Sequence, residues 1–259
     1  TEFVAKAAAN GHMLLMTAIS FGTAPALSGN LPFDPLASFS PVIQIAASEI
    51  TFELRPQLPV NSMQTLIDFA KRHSGQLLYG ASGNNEPQHL AAELIKPEAD
   101  INIAHVPYHG AAGATVDRIG GHVQAMVSAK QTVAQQARAN KVRVLAVMSE
   151  KRSAPFPDVS TMVERQLSNL PVETWCGLFA PSPAPQAAVT RLNQDINALL
   201  QQADVREPFA RQSTNTVGGL PERFGAMVTS GLKRWARVAA TAKIKADQRR
   251  VVVDVLSRS

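Results

Sequence analysis

Residues 77–121 read LLYGASGNNEPQHLAAELIKPEADINIAHVPYHGAAGATVDRIGG, and in that order they spell strand, polar turn, helix, strand, small-residue turn and helix. Leu77, Leu78 and Tyr79 form a short apolar run that breaks into Gly80, Ala81, Ser82, Gly83, Asn84 and Asn85, so a buried strand ends in residues that tolerate unusual dihedrals. Asn85 reads as the N-cap of the next helix, with Pro87 in its first turn and Gln88 three places on. Such a helix start carries partial positive charge and free N–H groups, and it can receive a carboxylate or phosphate without Lys or Arg. The pattern then repeats: Ile101 to Val106 as strand, Pro107-Tyr108-His109-Gly110 as turn, and a helix whose stripe is Ala112, Thr115, Val116 and Ile119. Two strand ends thus aim donors at one crevice, the place where parallel α/β sheets bind ligands.

Outward from this stretch the alternation continues. Asn61 or Ser62 caps a helix striped by Met63, Leu66, Ile67 and Ala70 and closed by Gly75; His122 to Ser128, a helix around Thr132 to Ala139, and Val142 to Met148 follow. Strand alternating with helix predicts an α/β class with a parallel sheet. Upstream, Thr1 to Ala9 reads as a helix end, His12 to Met16 as a buried strand, and TAISFG at 17–22 as a small-residue turn offering the Thr17 and Ser20 hydroxyls. Ile43 to Arg55 and Thr174 to Ala180 are extended segments ended by prolines, and they read as two crossings between lobes. The late helices carry the stripes Val189, Leu192, Ile196, Leu199 and Phe224, Val228, Leu232, Trp235, Val238.

A chain of 259 residues with a 45% hydrophobic content has room for two lobes with cores of their own. No uninterrupted apolar run reaches the roughly 20 residues of a spanning helix, and no signal-peptide core opens the sequence. Cys176 is the single cysteine, which excludes an internal disulfide and a Cys-based zinc site. The net charge of +5 comes from scattered residues with sparse aromatics, so nucleic acid is not an expected partner and a mild positive field for anions is. His105 and His109 have helical metal-pair spacing, but Pro107 between them breaks that geometry; no metal and no cofactor is expected. His105 reads as a hydrogen-bonded structural residue and His89 as a tie from its helix to a loop. Ser82 in Gly-Ala-Ser-Gly lacks the nucleophile-elbow spacing, and the turn lacks a P-loop's Gly-Lys-Ser/Thr ending, so no enzyme is expected.

The strings LPFDPLASFSPV at 31–42, HLAAEL at 89–94, HVPYHG at 105–110, SEKRSAPFPDV at 149–159 and GLFAP at 177–181, in this order and at these spacings, resemble the extracytoplasmic substrate receptors of tripartite tricarboxylate transporters, often called Bug receptors. The resemblance runs from about Glu2 to Asp247. It implies a type II periplasmic-binding-protein clamshell, or Venus flytrap, with mixed, mostly parallel sheets: lobe 1 from 1–52 and 175–259, lobe 2 from 53–174, and crossings near Thr51–Leu54 and Thr174–Phe179. It also implies a periplasmic, monomeric receptor that binds a small organic acid and hands it to membrane permease subunits. The pocket expected on this basis comprises Thr17 and Ser20 from the first lobe and Ser82, Gly83, Asn84, Tyr108, Gly110 and Ser128 from the second, as hydroxyl or backbone donors to carboxylate oxygens.

The sequence also departs from the family pattern. A strand, a Pro-Pro-Gly-Gly turn, a helix and a second strand usually precede the region where this chain opens, so the first lobe is expected to be incomplete. Where the family commonly has Asp-Asn, this chain has Ser128 and Ala129, followed by Lys130, which disfavours an amino-acid ligand. Glu86 occupies a Ser-like position at a helix start, where its carboxylate would complement the helix dipole and compete with an incoming anion. The alternative reading is a truncated or diverged member without ligand binding that acts through protein contacts.

Overall fold

The computed structural model describes residues 1–28, 31–83, 86–167 and 172–241. The chain runs α1 (Glu2–Ala5), β1 (Leu15–Ala18), α2 (Ser20–Ser28), β2 (Phe39–Leu54), α3 (Met63–Arg72), β3 (Leu78–Ala81), α4 (Pro87–Ala99), β4 (Ala104–Pro107) and α5 (Ala111–Gly120). It continues through β5 (Ala125–Ala129), α6 (Lys130–Arg138), β6 (Arg143–Val147), β7 (Glu173–Pro181), α7 (Gln186–Gln201), α8 (Ala203–Arg211), β8 (Asn215–Thr216) and α9 (Pro221–Thr241).

One strand, β2, belongs to two sheets. From Phe39 to Glu49 it pairs antiparallel with β7, and Ala46 and Ala47 also pair with β8; β1 then adds antiparallel to the outer side of β7. From Ile50 to Leu54 its neighbours are β5 on one side and β6 on the other, both antiparallel. β3 lies parallel to β5, and β4 parallel to β3. Four strands of the second sheet, β3 to β6, therefore share one direction and β2 opposes them. The α/β, two-lobe class expected from the sequence is thus present, and the parallel set is the one that alternates with helices.

Both faces of each sheet are covered. Ile50, Phe52 and Leu54 join Leu66, Leu90, Ala91 and Ile95 in the largest core. Val133, Ala134, Val147 and Phe156 pack on the other side of the second sheet. The first sheet has an aromatic layer, with the Phe21 and Phe179 rings 4.9 Å apart and Phe224 of α9 on Phe179 at 4.9 Å; Val42, Ile43, Val189 and Leu200 fill its opposite side. α9 spans the two: Phe224 and Val228 belong to the aromatic layer, while Trp235, Val238 and Ala239 join the largest core, which also takes in Ile19 and Leu27.

Local signals explain several elements. Ser62 caps α3 in a reciprocal capping box with Thr65, and Met63, Leu66, Ile67 and Ala70 are all buried. At α4 the N-cap is Glu86, without a side-chain cap bond, and Pro87 is the first helical residue; the expected cap Asn85 lies outside the described residues. Thr161 forms an isolated bridge with Val147, and a turn follows it. β1 buries only Leu15 and leaves Met16 exposed, so His12 to Met16 is not a buried strand. The tail 248–259 lies outside the described residues.

α5 turns the other way from its sequence pattern. The stripe Ala112, Thr115, Val116, Ile119 is not its buried face: Val116 is 67% and Ile119 56% exposed, while Ala114 and Arg118 are buried. The Arg118 guanidinium donates to the Lys141 carbonyl at 3.3 Å and to Gln136 Oε1, and these long-range partners make the arginine side the inner one.

Candidate ligand-binding site

Register fixes where the strand ends point. Along the β2–β5 ladder Leu54 faces Ala125 and Ile50 faces Ala129, so β5 runs toward the crossing, and β3, β4 and β6 run with it. β1 runs from Leu15 opposite Phe179 to Ala18 opposite Cys176, toward the same crossing from the other sheet. The carboxyl ends of both sheets therefore converge on the region around Glu49 and Ile50.

Most of the expected pocket residues stand at these ends. Thr17 is the next-to-last residue of β1, opposite Gly177 and half-buried, and Ser20 opens α2, exposed, with its carbonyl accepting from Thr23 Oγ1 at 3.4 Å. Ser82 and Gly83 follow β3; Asn84 lies outside the described residues. Tyr108 and Gly110 link β4 to α5, and Ser128 is on β5. The two turns are tied to one another, because the Gly110 N–H donates to the Ser82 carbonyl at 3.0 Å. Among the described residues no hydrogen bond joins Thr17 or Ser20 to the second-lobe set.

Glycine is required at Gly110, where φ is +104° and ψ is 165°, a backbone region open essentially to glycine. An added Cβ there would meet nothing within 4 Å, so the position faces open space. At Gly83 an added Cβ would come within 2.9 Å of Glu86 Cγ; the acid side chain folds back over the turn, and burial pushes its carboxyl upward.

Two expected donors have other partners. The Tyr108 hydroxyl donates to Asp117 Oδ2 at 2.7 Å, and burial, followed by that carboxylate, pushes it up to about 12. Its ring lies against Gly80 and Gly113, holding α5 onto β3. Ser128 is buried and its Oγ donates to Glu53 Oε1 at 2.9 Å.

Three groupings went unread in the sequence. Lys130, the first residue of α6, is buried in an ion pair with Glu49, and next to it Ser48 Oγ donates to Gln131 Oε1 at 2.6 Å; both contacts join α6 to β2 at the crossing. Glu53 lies fully buried behind the strand ends, with Arg118 the charge acting on it. Its sequence signal is a lone acid in the strand ITFEL. On the outer strands, His105 stacks on His89 at 3.9 Å and on Tyr79 at 5.0 Å. The Tyr79 hydroxyl and Lys96 Nζ donate to Glu93 Oε1 at 2.7 and 2.5 Å, and His89 Nε2 lies 3.6 Å from it. Stacking on His105 thus ties His89 of α4 to β4. His105 Nε2 is buried without a hydrogen-bond partner, so stacking, not the expected hydrogen bond, places it.

Two cavities open beside the crossing. One of about 210 Å³ is lined by Ala18, Ser48, Gln131, Thr174 and Cys176, and one of about 220 Å³ by Gln44, Glu150, Glu173, Trp175 and Trp235. Neither is lined by Ser82, Gly83, Tyr108, Gly110 or Ser128. Among the described residues no cluster of His, Cys, Asp or Glu could hold a metal ion, and no helix is long and apolar enough to cross a membrane.

Comparison with known proteins agrees with the fold. Protein BugT of Bordetella pertussis is 30% identical over 249 residues, 95% of this chain and 76% of that protein. The structure of R. palustris Rpa4515 with adipate matches with a TM-score of 0.82 at 28% identity, over 94% of this chain and 82% of that one. MatC (Rpa3494) from Rhodopseudomonas palustris with bound malate matches with a TM-score of 0.77 at 25% identity, over 92% and 82%. Residues 1–243 match the family described as tripartite tricarboxylate transporter family receptor, and the chain belongs to that family.

Proposed function

We propose that the chain is a periplasmic solute receptor that closes two lobes, 1–52 with 175–259 and 53–174, on a small organic carboxylate and delivers it to the membrane permease subunits of a tripartite tricarboxylate-type transporter. Convergence of the strand ends on the β2 crossing is the observation behind this reading. Where β4 gives way to α5, the first helical amides have no acceptor within the helix, and Gly110 leaves the space in front of them open. Ligand oxygens would be held there by backbone N–H groups and by Thr17, Ser20, Ser82 and Gly83, directly or through water, as a monomer and without catalysis. The relatives whose structures hold adipate and malate support a dicarboxylate as the first class to try.

A second reading is a diverged member that binds no acid and works through protein contacts; the exposed apolar pair Val116 and Ile119 on α5 favours it. A thermal melt with adipate, malate, citrate, succinate, glutamate, nicotinate and terephthalate separates the two. At about a hundred times its dissociation constant a ligand adds roughly 2.7 kcal/mol, a shift of about 5–10 °C at about 2–4 °C per kcal/mol. A shift by one acid supports the receptor; a cooperative melt that none of them moves supports the second reading.

A further inference from the structure

Glu53 is a carboxylic acid 1% exposed within a strand. Its ladder neighbours are Met126 on β5 and Val144 on β6. Oε1 accepts from Ser128 Oγ at 2.9 Å, and Oε2 is buried with no hydrogen-bond partner. Arg118, also 1% exposed, presents a buried Nε with no partner either, and among the described residues the two side chains form no direct ion pair. Buried polar atoms are nearly always satisfied, so an orphan acceptor here has two remedies: a trapped water or a proton of its own.

The proton has consequences for the site. Ser128 has one hydroxyl hydrogen with two acceptors in reach, Glu53 Oε1 at 2.9 Å and the Ala129 carbonyl at 3.4 Å; while Glu53 is ionised the shorter, charged acceptor takes it, leaving only lone pairs for anything arriving at the end of β5. A protonated Glu53 can instead donate to Ser128 Oγ, which frees the serine hydrogen for a ligand oxygen. An arriving carboxylate also places a second negative charge near a buried one, and two such charges in a low dielectric favour protonating the buried acid.

We propose that Glu53 is a proton-linked positioning residue: a carboxylate binding at the strand ends is accompanied by uptake of a proton from solvent onto Glu53, which reverses the Glu53–Ser128 hydrogen bond. The inference rests on the carboxylate-receptor reading. Burial holds the Glu53 carboxyl up to about 7, against the pull of Arg118 and of Ser128, so the proton is exchangeable near neutrality. Arg118 of α5 is the charged group acting on it, β5 offers Ser128 and β6 only Val144, and Lys130 of α6 is matched by Glu49.

Calorimetric titration of adipate and malate into the full chain at pH 7.5, in phosphate and in Tris, counts the protons. For a group free at about 7, binding should take up roughly three-quarters of a proton, and affinity should fall up to about tenfold per pH unit above 7. Glu53→Gln should abolish both effects. Equal heats in the two buffers for the unaltered protein, or the same proton count in the variant, would overturn the proposal. If neither acid binds and none of the others in the melt panel shifts the transition, the receptor reading fails and linked binding falls with it; an acid that does shift it takes their place in the titration. The melts then show whether the buried acid itself is as described. A carboxyl raised in the folded state loses stability as pH rises from 4.5 toward 7, so the variant should gain on the unaltered protein from pH 5 to 8; parallel profiles would refute the buried proton independently of any ligand. The two-buffer comparison needs no variant and decides the matter even if Glu53→Gln does not fold.

Discussion

Among the described residues Lys130 has one ion-pair partner, Glu49, and that makes its removal informative. Its side chain is 3% exposed and that of Glu49 12%. It is the first residue of α6, where a cation works against the helix dipole. Glu49 stands opposite Glu173 in the β2–β7 ladder. The Glu173 carboxyl is pushed up by burial and then by Glu49, with Lys130 pulling it back. Replacing Lys130 by Met therefore leaves a buried carboxylate unpaired and facing another. Breaking a buried pair in this way costs about 3–5 kcal/mol, whereas replacing both partners by neutral groups of similar volume is close to neutral. Lys130→Met should thus lower the urea unfolding free energy at pH 7.5 by about 3–5 kcal/mol, and Lys130→Met with Glu49→Gln should return to within about 1 kcal/mol of the starting protein. Trp175 and Trp235 provide the fluorescence signal. A single substitution costing under about 1 kcal/mol, or a double equal to the sum of the singles within about 0.5 kcal/mol, would refute the reasoning.

Gly110→Ala should cost about 1–3 kcal/mol by urea unfolding, all from the backbone, since no atom stands where the Cβ would go. Tyr108→Phe should cost about 1 kcal/mol of stability through the lost bond to Asp117, with acid affinity in calorimetry unchanged because that hydroxyl is already engaged. In acid, His105 is held down to about 4 by burial and then by His89, so it loses stability as pH falls from 6.5 toward 4. Hydrogen bonds from His89, Lys96 and Tyr79 outweigh burial and hold Glu93 at about 2, which removes stability as pH falls from 4.5 toward 2. His105→Phe should flatten the upper window only, read as a difference in urea midpoint from the unaltered protein because Glu53 acts with the opposite sign between 4.5 and 7.

The strands and helices of 77–121 were legible because each apolar run is bounded by turn residues, and α3 because Ser62 and Thr65 mark its start. The extent of β2 was not: buried on both faces, it lacks alternation, and its double membership depends on partners far along the chain. The inner face of α5 was misread for a similar reason, as Arg118 is turned inward by Lys141 and Gln136 from another helix and its following turn. At the site, residue type placed Ser82, Gly110 and Ser128 at strand ends, but hydroxyl direction is a pairwise property. Nothing local in the sequence tells Ser128 to face Glu53 or Tyr108 to face Asp117.

The double life of β2 also sets an order of assembly. Its residues Ile50 to Leu54 find β5 and β6 within the next hundred or so positions, but Phe39 must wait for Pro181 and Glu49 for Glu173. Contacts this distant in sequence slow folding, because the loop must close before the ladder can reward it. As the chain emerges, the second sheet can form while the first half of β2, with Val42 and Ile43 destined for full burial, still presents open strand edges. Such an edge is a template for pairing with another copy, so the interval before β7 arrives is when this chain is most exposed to aggregation.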